Sequence, residues 1–471
     1  MNFRKWQEIF SKPSTPNALK KDVLSAYNAT REKYQQKYLC NAPFKSMLLA
    51  NNGRVLACCF NRQAISGTYP QQNLKEIWFG EEAVKLREHI VCNDLSHGCF
   101  VCKAQLLNKE YNTVKARMFD HLPESTSGYP VMMEFDLDNT CNLECIMCNA
   151  DNSSAIRNKS ELYDVYNSPY GASFLEELEP LIPHLHQVSF AGGEPFLIKL
   201  YYDIWEKMIS INPQIRINIT TNGTVLTEKI KAILESGFFE VSVSLDSIKK
   251  ETYSEIRKNA HFEKVMENLF YFHDYCKSKG TFFGVWACPL RHNKYEIPDL
   301  FNYFGTRDIE VYLHTVWVPP KVTLWNLSPL ELNELHAFYD AQELEGDTEV
   351  KFKNKQRFKE FISLIKAWEV MAQIRERRSP QPHEYKKMDD YLFLSLKRQY
   401  HKKDLSSKGT ITKVKECQTK LLYCQKHLPQ HIYNEAVEVL CQYPDAFIFQ
   451  IFEAGTETMI CDFFKFLTKS I

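Results

Sequence analysis

The sequence predicts an α/β chain: a cysteine-rich α+β module, then a parallel sheet with helical crossovers, then a helical appendage. Three observations carry this. Between residues 131 and about 316, short apolar, often β-branched runs alternate with helix-length segments, the pattern of parallel strands joined by right-handed crossovers. Nine of the fifteen cysteines fall before residue 150, in clusters. From about residue 329 the apolar spacing becomes helical. A chain of 471 residues is too long for one ordinary core, and regions 1–38, 39–125, 126–328 and 329–471 are the expected divisions.

Bulk chemistry narrows the function classes. Hydrophobic residues make up 44% and charged residues 25%, as in globular proteins. Lys+Arg and Asp+Glu balance at 58 each, which leaves no electrostatic footprint for nucleic acid or an anionic membrane. No apolar run reaches spanning length, and the start Met1-Asn-Phe-Arg-Lys-Trp is polar. A cytoplasmic protein with no membrane or nucleic-acid partner is expected. In a reducing compartment its cysteines are metal ligands before they are disulfides.

Taken in order, residues 1–38 read as polar helices broken at Pro13 and Pro16. Phe44–Ala50 and Arg54–Phe60 read as strands of a hairpin, with Asn51-Asn52-Gly53 as its turn, both Asn52 and Gly53 accepting positive φ. That hairpin brings Cys40 and Cys58 together at its open end. Residues 73–90 read as helix, ending near Cys92, and Cys99-Phe-Val-Cys102 supplies a close pair. This arrangement suits zinc and iron–sulfur alike. A charged linker, 103–128, leads to the sheet.

Six strand-like runs follow, beginning at Val131, Gln187, Arg216, Glu240, Phe282 and Glu310, with helices over about 171–182, 199–211, 227–236, 251–279 and 296–305. The unusual residues sit just after these runs, where α/β folds keep their chemistry. After the first comes Cys141-Asn-Leu-Glu-Cys145-Ile-Met147-Cys148, a C-x3-C-x2-C spacing. Its polar neighbours Asp138, Asn139, Asn142, Glu144 and Asn149 argue against three thiols on a dry helix face. After the second comes Gly192-Gly193-Glu194-Pro195, and after the third Asn222-Gly223. Ser242 and Ser244 share one face of the fourth, with Asp246 following. Cys288 and His314 end the fifth and sixth. Beyond residue 329, helical stretches are interrupted by a basic, proline-containing link over 376–388.

On these residues the chain resembles the radical S-adenosylmethionine (AdoMet) enzymes. The resemblance implies a partial (β/α)6 TIM-like barrel. It implies that Cys141, Cys145 and Cys148 hold a 4Fe–4S cluster whose fourth iron chelates AdoMet, and that reductive cleavage yields a 5′-deoxyadenosyl radical that takes hydrogen from a substrate. Met147 stands where an aromatic side chain often packs on adenine. Gly192 and Gly193 would let carbonyls approach the methionine ammonium, with Glu194 in support. Ser244 and Asp246 would reach the ribose or carboxylate, Arg257 would pair with the carboxylate, and Asn222 would complete the AdoMet set.

The earlier cysteines, followed by the phrase Asn73-Leu-Lys-Glu-Ile-Trp, resemble the SPASM module or its shorter form, twitch. This implies Cys40, Cys58, Cys99 and Cys102 as ligands of an auxiliary iron–sulfur cluster; Cys59 and Cys92 are left over, read as plain thiols rather than reserve ligands of a second cluster. The module here precedes the barrel, as in a subset of the family. Cys288 is a candidate hydrogen donor to a substrate radical, its commoner role being a packed thiol. The expected function is oxidative modification of a ribosomally made peptide or protein side chain by cross-linking, oxidation or epimerisation. The reductant would be a flavodoxin or ferredoxin. Two alternatives stand beside it: a radical AdoMet enzyme acting on a nucleoside, sugar or amine, and a non-catalytic zinc or electron-transfer protein.

Overall fold

The computed structural model describes residues 17–159, 163–377, 388–402, 407–443, 445–454 and 457–468. Part of the expected N-terminal helical stretch (1–16) and most of the basic link (378–387) lie outside them. Nine strands form one sheet in the order β3-β2-β1-β4-β5-β6-β7-β8-β9. They are β1 Ser46–Leu49, β2 Arg54–Leu56, β3 Gly67–Thr68, β4 Met132–Phe135, β5 Gln187–Phe190, β6 Arg216–Thr221, β7 Phe238–Ser244, β8 Phe283–Ala287 and β9 Glu310–Leu313.

From β4 to β9 every neighbour is parallel and follows in chain order. A doubly wound sheet would reverse its order at a switch point. Here there is no reversal, so right-handed crossovers put the helices on one face and the six strands curl as an open (β/α)6 barrel. Side chains alternate accordingly. Met133, Phe135, Val188, Phe190, Ile217 and Ile219 join the main core on the helix side. Glu134, Ser189, Asn218 and Thr220, on the other face of the same strands, keep partial exposure, so that face borders open space. The outer edge of β9 is covered rather than bare. Asn354, on the long helix Glu349–Glu376, accepts from Val311 N at 2.9 Å and donates to Ile309 O at 3.0 Å.

The other edge differs from a separate module. Strand β1 pairs in parallel with β4, Ser46 opposite Met132 through Leu49 opposite Phe135, so the hairpin prolongs the barrel sheet. Its strands are shorter than the sequence suggests, because Ala42–Lys45 turns helical. Of the Asn52-Gly53 pair only Gly53 takes positive φ (80°). A Cβ there would lie 2.3 Å from the Tyr69 carbonyl oxygen, so the position excludes side chains twice over. The expected helix over 73–90 is two, Leu74–Phe79 and Glu81–Val91, meeting at Gly80; the Asn73/Glu76 capping box starts the first.

The expected continuous helix over 251–279 is also two, Lys250–Ile256 and Phe262–Lys279. Arg257 leaves helical geometry and Asn259 turns left-handed at φ 73°. The break frees the carbonyls of Ile256 and Lys258, which accept from Ile146 N (3.0 Å) and Glu144 N (3.2 Å) in the three-cysteine loop.

Helices Pro329–Asp340 and Glu349–Glu376 precede the C-terminal group Met388–Lys402, Ser407–His427, Gln430–Leu440, Asp445–Ala454 and Glu457–Thr468. That group leans on loops beyond the strand ends. Tyr443 packs tilted against Trp325, ring centroids 5.1 Å apart, and donates to Trp317 O, and Lys465 stands 6.0 Å from the Tyr163 ring.

Candidate functional site

Two thiol groups lie on this one sheet. The first is the loop after β4. Tyr201 ties it to the loop after β5: its hydroxyl accepts from Leu137 N (3.0 Å) and donates to Ala191 O (2.8 Å). Gly193 N and Glu194 N then donate to the carbonyls of Asp138 (3.0 Å) and Thr140 (2.7 Å). A Cβ at Gly192 would lie 2.6 Å from Asp138 O, and one at Gly193 would lie 2.2 Å from Thr140 O. The glycine pair is therefore required first by the cysteine loop itself, whose backbone fills the space a side chain would take. Downstream, Ser154 Oγ accepts from Cys141 N (3.0 Å) and Ser153 Oγ donates to Leu143 O (2.7 Å).

Glu194 is fully buried and accepts three bonds: Thr221 Oγ1 (2.7 Å), Asn222 N (2.7 Å) and Phe196 N (3.2 Å). Burial pushes its carboxyl up to about 7, against the pull of those donors. It works as a brace between the loops after β5 and β6. Asn222 in turn directs its Nδ2 at Asn142 Oδ1 (3.0 Å), with Cys141 Sγ 3.9 Å away.

Across the mouth, Arg257 and Asp246 form a buried ion pair, Nε to Oδ2 at 2.7 Å. Arg257 is thus buried and engaged by the protein itself. The second Asp246 oxygen accepts from Cys288 N at 2.7 Å, so both oxygens of Asp246 are engaged by the protein and it positions the loop after β8. Met147 and Cys288 pack in one small apolar cluster with Ile256, Leu290 and Val322. Ser244 lies in register with Trp286 on the inner face. Burial raises all three loop thiols, Cys145 to about 11 and Cys148 to about 12, with the Arg257 charge pulling both back down. The Cys288 thiol is raised by the same burial and by Asp246.

The second group is a cavity in the hairpin module, lined by Cys40, Cys58, Cys99 and Cys102. Its other walls are mostly apolar: Phe60, Leu95, Val101, Ala116 and Phe119, with Lys115. Cys59, next in the chain to Cys58, turns away and packs with Leu48, Ala50 and Leu56. Burial pushes Cys99 up to about 12 and Cys102 to about 11, and neighbouring thiols add to it. Bare thiolates are costly here, so the donor set fits a group that brings positive charge of its own, as cluster iron does. Among the described residues, no three His, Cys, Asp or Glu side chains gather as they would round a single metal ion.

Several braces were not singled out from the sequence. Asn61 donates to Cys99 Sγ at 3.3 Å and to His97 O at 3.0 Å. The position of Asn61, just past Cys58-Cys59, is its only sequence signal. The Ser153-Ser154 pair, close after Cys148, is a local-capping signal of the same kind.

Comparison with known proteins agrees with this division. The Radical SAM superfamily model matches residues 138–286, and SPASM, an iron–sulfur cluster-binding domain, matches residues 40–103. A probable GTP 3′,8-cyclase of Methanothermobacter thermautotrophicus is 30% identical over 143 residues, 30% of this chain and 44% of that one. The Methanocaldococcus jannaschii protein of the same name is 27% identical over 210 residues, 43% of this chain and 65% of that one. The chain spans less than half the length of the first of these relatives. Among solved structures, anSMEcpe with bound AdoMet aligns at 20% identity and TM-score 0.34, covering 44% of this chain and 59% of that one. Streptococcus suis SuiB bound to precursor peptide SuiA aligns at 15% identity and TM-score 0.33, covering 50% of each.

Proposed function

We infer that this chain, which carries a radical SAM domain behind a SPASM iron–sulfur domain, oxidatively modifies a side chain of a peptide or protein. Cys141, Cys145 and Cys148 would hold the 4Fe–4S cluster that binds AdoMet, and Cys40, Cys58, Cys99 and Cys102 the auxiliary cluster. Bound there, these groups supply reductive cleavage of AdoMet to a hydrogen-abstracting radical and a second centre able to take an electron. The chain's own residues supply position. Glu194 and Asn222 hold the mouth loops against Cys141. Arg257, set by Asp246, lends positive charge beside Cys145. Met147 and Cys288 give the mouth an apolar wall, and Cys288 would be the group to return a hydrogen atom in an epimerisation.

The observation that carries this reading is the continuous sheet. One set of cysteines follows β4 and the other surrounds the hairpin that pairs with β4, so an oxidising and an accepting centre would share a single frame. A small-molecule substrate is the second reading, favoured by the GTP 3′,8-cyclase relatives. Anaerobically reconstituted protein, reductant and AdoMet should give 5′-deoxyadenosine, and none at all would sink the enzyme class. Mass spectrometry of a candidate peptide co-expressed without oxygen separates the readings. A mass loss of hydrogen supports peptide oxidation, and a mass unchanged in ordinary water but raised by one deuterium in heavy water supports epimerisation. Neither change, with GTP consumed instead, supports the second reading.

A further inference from the structure

Two half-buried carboxylates in the barrel, each with one oxygen sealed from solvent, have no use in the site so far described. Glu134 and Asp136 lie on and just beyond β4, two residues apart and therefore on one face, opposite the core side chains Met133 and Phe135. Glu134 Oε1 and Asp136 Oδ1 are each sealed from solvent and accept no hydrogen bond. An orphaned buried acceptor is destabilising, more so when charged, so two on one face need a reason. They do not bond each other. The nearest cation acting on both is Arg62, which is exposed, donates its Nε to Cys59 O (3.0 Å) and forms no ion pair with either among the described residues.

Their place is informative. Asp136 Oδ1 lies 3.3 Å from where a Cβ on Gly192 would be, so the carboxylate abuts the Gly-Gly-Glu-Pro loop. The Cys59 thiol, beside auxiliary ligand Cys58, feels the Glu134 charge. The pair thus stands on the strand between the two thiol groups. On β8, Trp286 Nε1 is a third buried polar atom without a partner, and Trp286 stacks on Tyr312 at 4.9 Å. On the same face Ser189, Asn218, Thr220 and Ser242 are neutral, and the cation there, Arg216, is exposed at the strand start and already paired with Glu240 at 3.1 Å.

We propose that Glu134 and Asp136 bind a cationic group of the substrate, an ammonium or guanidinium, and hold it inside the barrel between the two thiol groups. A hydroxyl could satisfy one acceptor; a cation with several donors satisfies both and offsets their desolvation. Burial pushes Glu134 up to about 7 and Asp136 to about 6, the state of carboxylates awaiting a counter-ion. The inference rests on the reading that the barrel interior is the reaction chamber.

The test uses the reconstituted full chain and two probes of equal length, n-hexylammonium and 1-hexanol, followed by calorimetry near pH 7.5. The ammonium should bind at least about tenfold tighter than the alcohol, the scale of a charge-assisted hydrogen bond. Glu134→Gln/Asp136→Asn should abolish that preference, with iron content and circular dichroism checking the fold. If the double variant fails to fold, Asp136→Asn alone should reduce the preference. Equal binding of both probes, no binding of the ammonium, or a preference that survives the substitutions overturns the proposal. Wild-type 5′-deoxyadenosine formation is measured separately. Its absence would sink the functional reading while leaving the probe result to stand or fall alone.

Discussion

The three-cysteine loop and the four-cysteine cavity put thiols to use in opposite ways. The loop takes its sulfurs from eight consecutive residues, Cys141–Cys148, and is surrounded by polar and charged braces: Asn222, Glu194, Arg257 and Asp246. The cavity gathers sulfurs from three separate places, Cys40, Cys58 and the Cys99/Cys102 pair, and lines them with Phe60, Leu95, Val101 and Phe119. A loop whose shape is fixed by its own backbone bonds can leave a cluster corner open to a cofactor. A cavity with all its ligands supplied by protein closes on its cluster, and it draws remote segments together in doing so. Holding the proposed clusters, the first region would suit exchange and the second retention.

Cysteine substitutions should break the comparison most severely. Cys148→Ala should reduce 5′-deoxyadenosine formation to background and remove one cluster's iron, with little change in melting temperature, since backbone bonds to Ile256 and Lys258 still hold the loop. Cys102→Ala should do the reverse: the melting temperature falls, because that cluster would tie segments 62 residues apart, from Cys40 to Cys102, while AdoMet cleavage persists and product formation stops. Iron analysis, scanning calorimetry and chromatography of 5′-deoxyadenosine check both. Equal loss of cleavage in the two variants would erase the distinction.

The next effect is confined to the first region. Arg257 and Asp246 are buried together, so Arg257→Met leaves the Asp246 charge without its partner and should cost about 3–5 kcal/mol of stability. Adding Asp246→Asn removes the stranded charge and should recover part of that loss in urea denaturation. A double variant no more stable than Arg257→Met alone would mean that the charge of Asp246 is not what the guanidinium stabilises.

How far these regions were legible follows from how local their signals are. The six barrel strands are short apolar runs, each followed at once by a loop bearing its chemistry, and Lys199–Ile211 could be read to the residue because its apolar stripe is uninterrupted. The break at Arg257 was not legible: no proline or glycine marks it, only Asn259, and its cause is hydrogen bonding to a loop more than 100 residues earlier. The pairing of β1 with β4 left no local trace either, since Ser46–Leu49 reads the same whether its outer edge is free or paired. The glycine pair was legible as a close approach but not as to what approaches. The sequence suggested a cofactor, and the atoms nearest the missing side chains are the carbonyl oxygens of Asp138 and Thr140.

The smallest expected effect is a pH dependence that belongs to neither thiol group but to the strand between them. Glu134 and Asp136 have folded-state values near 7 and 6, raised by burial above their ordinary values of 4.5 and 3.8. Between those limits the folded chain keeps protons that the unfolded chain has released, so unfolding releases protons and becomes easier as pH rises. Stability should therefore decline from about pH 4 to about pH 7 by an increment that Glu134→Gln/Asp136→Asn removes, leaving the variant more stable than wild type at pH 7.5. Urea denaturation at several pH values measures it. The n-hexylammonium probe should restore part of the wild-type stability at pH 7.5, because a ligand that favours the ionised pair in the folded state opposes the same proton release. If the variant is destabilised at pH 7.5, the two carboxylates hold the barrel together and are not awaiting a cation.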